Sequence, residues 1–77
     1  MESTLALQAL AAIIGDSDLR ERFLGLTGYD GATLRARAGS PDMAAAVANF
    51  LGGHEPDLVK VAAMLGVAPA VLMGGRG

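Results

Sequence analysis

Apolar residues recur along the chain three and four apart, the spacing of a helix face, and no stretch sustains the alternation of a strand. Glycines fall between these runs and read as stops. The first run predicts a helix over about 4–14, with Ser3 as N-cap and Gly15 as terminator. Asp16 is placed to cap a second helix over about 17–27. Its Leu19, Phe23 and Leu26 follow i, i+4, i+7 as one buried stripe, and Gly28 closes it. Asp30 caps a short third helix over about 31–38. Ser40 followed by Pro41 joins an N-cap to a first-turn proline and opens a fourth helix. Met43, Val47, Phe50 and Leu51 share its one apolar face, and Gly52-Gly53 breaks it. The fifth helix starts near Glu55-Pro56, buries Leu58, Val61, Ala62 and Leu65, and stops at Gly66. Val67, Val71 and Leu72 predict a last short helix with Pro69 in its first turn, and 74–77 are expected to fray. The expected fold is all-α: one domain over 1–77, a compact array of five to six short helices.

The first helix differs from the others in carrying no charge between Ser3 and Gly15. At about 100° per residue from Leu5, Ile13 falls near 80°, Leu10 near 140°, Ile14 near 180° and Leu7 near 200°. That bulky apolar arc is about 200° wide, where a surface helix needs roughly 100°. Two outcomes are open. The short third and last helices wrap both sides of helix one and cover it. Otherwise part of the arc stays exposed and meets a second copy or another protein, since large exposed apolar patches mark contact sites.

Composition narrows the classes. The chain has 77 residues, 52% hydrophobic and 18% charged, with six Lys+Arg against eight Asp+Glu and a net charge of −2. High apolar content with low net charge argues for a folded chain. The acidic balance argues against a generally basic nucleic-acid binder, and the absence of Cys excludes a disulfide scaffold, a thiol enzyme and a cysteine zinc site. For this mass, folding buries only about 60% of the chain's surface, so the core is marginal and a partner subunit is the staple still open. Glu2, with no Lys or Arg beside it, does not make the positive flank of a secretory signal. The longest uncharged stretch, 61–75, is interrupted by Pro69 and glycines and is too short for a membrane span. A cytoplasmic location is expected.

Candidate chemistry is sparse. His54 is the single histidine, at a helix boundary beside Glu55 and Asp57, where capping or solvation is the ordinary role. Asp16 and Asp18, near Glu21, lack the further oxygen ligands of a calcium loop and read as caps at a positive helix end. Gly25, Gly28 and Gly31 follow no strand and precede no Lys-Ser/Thr, so they make no phosphate loop. Arg20 and Arg22, like Arg35 and Arg37, sit two apart and point about 200° apart on a helix, which reads as solvated side chains with weak surface pairs. No catalytic residue, metal or cofactor is expected. Asp57 to Met73 imitates a DNA-binding helix-turn-helix, with Ala62 four before Gly66 and Leu72 six after it. Its second helix, Val67 to Met73, carries no side chain that reads a base edge, so nucleic acid is not an expected partner.

Taken in order, Leu5 to Ala11, Arg22 to Tyr29, Leu34 to Ala38, Val47 to Leu51 and Ala63 to Pro69 resemble a bacterial family known as a domain of unknown function, number 3572. The resemblance runs through nearly the whole chain and implies a small, single-domain, all-helical bacterial protein. It implies no activity, cofactor or catalytic residue. The family pattern has a longer last helix, which Gly74-Gly75 cuts short here.

The expected function is therefore a non-enzymatic protein–protein interaction module, with self-association through the first helix as one form. Its expected contact residues are Leu7, Leu10, Ile14, Leu24 and Tyr29. Leu24 lies about 140° round from Leu19, off the buried stripe, and is expected to be an exposed anchor. The alternative is a degenerate helix-turn-helix DNA-binding module centred on residues 57–73.

Overall fold

The computed structural model describes residues 3–73. Among them run six helices and no strand: α1 (Ser3–Ile14), α2 (Ser17–Thr27), α3 (Gly31–Arg37), α4 (Pro41–Gly52), α5 (Glu55–Leu65) and α6 (Pro69–Leu72). The expected fraying of 74–77, and the cut at Gly74-Gly75, lie outside the described residues.

Local chemistry sets the helix boundaries. The Asp16 carboxylate accepts from the Leu19 amide at 3.1 Å, that of Asp30 from the Thr33 amide at 2.8 Å, and the Ser40 hydroxyl from the Met43 amide at 3.1 Å. Each satisfies one of the orphan donors of a first turn. Gly28 and Gly66 end α2 and α5 at φ 74° and 70°, the left-handed conformation that side-chain-bearing residues avoid. His54 sits at the N-cap of α5 and makes no side-chain cap bond. The expected bounds differ by a residue at Ser3, which opens α1 instead of capping it, at Arg37 and at Gly52.

α1 is the central element and packs against α2, α4 and α5. α3 leans on α4, and α6 leans on α5. One core joins the helices, built from Ile13, Leu19, Phe23, Met43, Val47, Leu51, Val61 and Leu72, all fully buried. Phe23 meets Phe50 edge-on at 5.3 Å between ring centroids and Tyr29 at 6.4 Å, so all the aromatic rings of the chain gather at the α2–α4 contact. The accessible surface is 4443 Å². That is what a folded monomer of this mass presents, about 4,400 Å², so the chain is compact without a second subunit.

Two expectations about buried faces are corrected. In α2, Leu26 is 76% exposed, while Leu24 is half-buried against the core. The side chains that pack are Leu19, Phe23, Leu24 and Thr27, which spread over about 140° to one side of Leu19. Leu26 falls just beyond the opposite edge of that arc. In α5, Leu58 and Leu65 are only partly buried, and Asp57 takes a core position at 4% exposure.

Candidate functional site

A helix that packs on three neighbours still has a fourth side. On α1 the sealed side chains are Ala6, Ala9, Leu10 and Ile13, an arc of about 100° centred between Ala6 and Ile13. Leu5 and Ile14 lie at its two edges and are half-buried, and Leu7 lies beyond and is 42% exposed. The domain thus hides the usual width of one helix stripe and leaves the surplus outside. The full covering of α1 by α3 and α6 does not occur, because α3 leans on α4 and stands off from α1 across an open groove, and α6 packs on α5. Leu34 of α3 is buried in the core against α4, and Leu72 of α6 is buried against α5.

What remains is an open apolar groove of about 470 Å³ between α1 and α3. Leu7, Leu10, Ala11 and Ile14 line one wall, and Gly31, Leu34, Arg35 and Ala38 the other. On the opposite flank of α1, Gln8, Ala11, Ala12, Met64 and Leu65 form a second recess, so Ala11 is the low ridge between two hollows. Of the five expected contact residues, Leu7, Leu10 and Ile14 are brought together here. Leu10 is 6% exposed and forms floor. Leu24 is not among them, and Tyr29 lines a separate hollow with Leu26, Thr27, Ala46, Asn49 and Phe50. The exposed leucine of α2 is Leu26, not Leu24.

Two ion pairs serve the scaffold. Arg22 grips the buried Asp57 with both ends of its guanidinium, at 2.7 and 2.5 Å, and ties α2 to the first turn of α5. The Asp57 carboxylate holds the Arg22 guanidinium above its ordinary range. Lys60 reaches Asp16 at 2.7 Å, so α5 is pinned twice to the α2 side. Spacing alone read Arg22 as solvated. The available signal was Asp57 itself, a charge four residues before Val61 on the buried stripe of α5, which requires a partner.

These caps predict an acid-sensitive fold. The Lys60 ammonium, and after it the Leu19 amide, holds Asp16 below 3.8, and the Thr33 amide does the same for Asp30. A carboxyl whose folded pKa lies below its unfolded value binds fewer protons when folded. Its stabilisation is present above pH 3.8 and is lost as pH falls through the lowered folded value. Denaturation midpoints should therefore drop below that pH. Asp16→Asn keeps a capping oxygen but no charge, so it should flatten the drop. An unchanged acid limb in that variant would remove Asp16 as a contributor.

Among the described residues no group of three or more His, Cys, Asp or Glu is placed to hold a metal ion. No helix of the described residues is long and apolar enough to cross a membrane. In the imitation helix-turn-helix, α6 is four residues long, Leu72 faces inward, and Val71 and Met73 are exposed. The family model described as Protein of unknown function (DUF3572) matches residues 2–76, and no curated protein or solved structure gives a significant match. The match covers almost the entire chain.

Proposed function

The chain belongs to the DUF3572 family, and from that premise we propose that it is a non-enzymatic, cytoplasmic protein–protein interaction module that docks its partner on the uncovered strip of α1. The observation that carries this reading is Leu7, 42% exposed on the wall of an open apolar groove that also takes in Leu10, Ile14 and Leu34. The occupant is a second copy or a helix of another protein.

Size limits the first of these. α1 has 12 residues and is about 18 Å long. One face of such a helix offers well under the roughly 800 Å² per partner of a standard stable complex. Self-association is therefore expected to be weak and visible only at high concentration. Light scattering from low to high micromolar protein should show the mass rising above 7.8 kDa. Leu7→Glu should hold it at the monomer value while keeping the helical circular dichroism, because Leu7 is not core. A wild-type mass fixed at the monomer value throughout would remove the second copy as an occupant. A rise that Leu7→Glu leaves intact would move the contact away from α1.

A further inference from the structure

We infer that the α1–α3 groove is built for an acidic amphipathic helix of another protein, an inference that rests on the docking reading above and adds the chemistry of the partner. The walls give the apolar half of the match. Leu7, Ala11 and Ile14 face Leu34 and Ala38 across an open channel. From Leu7 to Ile14 the wall rises about 10 Å, two turns, which suits apolar side chains at i, i+3 or i+4, and i+7 of an incoming helix.

The charges give the other half. Arg22 and Lys60 are occupied by Asp57 and Asp16. Arg35 lines the groove and has no carboxylate partner among the described residues. Arg20 donates to the carbonyl of Ile14, at the end of the same wall, at 3.3 Å and likewise has no carboxylate partner among the described residues. No Asp or Glu lines the groove. A protein of net charge −2 thus keeps the guanidinium of Arg35, free of any carboxylate among the described residues, in the wall of its exposed apolar channel, with Arg20 held at the channel's end by the Ile14 carbonyl. An occupant with apolar residues on one face and carboxylates beside them satisfies both features, and guanidinium forks favour carboxylates. A second copy of α1 supplies no carboxylate between Ser3 and Gly15, so it leaves Arg35 unmatched and is displaced by an acidic helix.

The test is selection on the intact chain from a displayed library of helical peptides, with apolar residues fixed at i, i+3, i+4 and i+7 and the flanking positions randomised. Far-UV circular dichroism checks that each protein variant stays helical. Asp and Glu should be enriched at the flanks. Binding of the selected peptides should be lost with Leu7→Glu and weakened about tenfold or more with Arg35→Glu, as expected for a charge reversal facing a carboxylate. Peptides lost with Leu7→Glu but indifferent to Arg35→Glu, or without acid enrichment, overturn the acidic partner and leave the docking reading standing. Peptides that ignore Leu7→Glu, or a library that yields no binder, overturn the docking reading itself.

Discussion

Phe23→Ala is expected to lower the free energy of unfolding by about 3–5 kcal/mol, the usual range for emptying a buried phenylalanine site. Phe23 is fully buried, and its ring is the one that touches both other aromatic rings, Phe50 at 5.3 Å and Tyr29 at 6.4 Å. Truncation removes the transfer energy of the ring, leaves a cavity between α2 and α4, and breaks two edge-on contacts together. The site has little freedom to collapse, since Leu19, Met43 and Leu51 are already fully buried in the same core. A domain of 77 residues has on the order of 4–12 kcal/mol in total. The variant should therefore be close to unfolding at room temperature. Urea denaturation followed by far-UV circular dichroism measures the change. A loss below about 1 kcal/mol would mean that α2 and α4 close over the gap and that the aromatic cluster is not the centre of the core.

Leu72→Ala is expected to cost about 2–4 kcal/mol and to act in a different way. α6 has four residues, far too few to hold a helix alone, and Leu72 is its one buried side chain. The helix stays in place because Leu72 plugs the core while α6 rests against α5. Without that side chain α6 should detach, so its amides should exchange with solvent well before those of α1 and α4. Uniform loss of protection throughout the chain would show instead that α6 and the rest unfold as one unit. Equal protection with no loss of stability would show that Leu72 is dispensable.

What could be read from the chain and what could not separate by distance along it. Caps act within three residues, so Asp16, Asp30 and Ser40-Pro41 announced their helices, and Gly28 and Gly66 announced the ends. The core of α4 was equally legible, because Met43, Val47, Phe50 and Leu51 admit only one face. In α2 the spacing pointed to a stripe ending in Leu26 with Leu24 outside it, whereas the fold packs Leu24 and leaves Leu26 exposed. Only the position of α4 and its Phe50 ring decides between them. The Arg22–Asp57 grip joins residues 35 positions apart and has no local signature beyond a charge on an apolar stripe. The groove depended on the same kind of fact. Helical spacing showed that α1 has more apolar width than one stripe. It did not show that α3 would lean on α4 and leave Leu7 outside, nor that Leu10 would form the floor.

The gathering of the rings has a consequence for how the protein reports on itself. With no tryptophan in the chain, Tyr29 is its sole strongly emitting residue, and it lies edge-on against Phe23. The half-buried phenol thus sits where α2 meets α4, and its emission is expected to change when that contact opens.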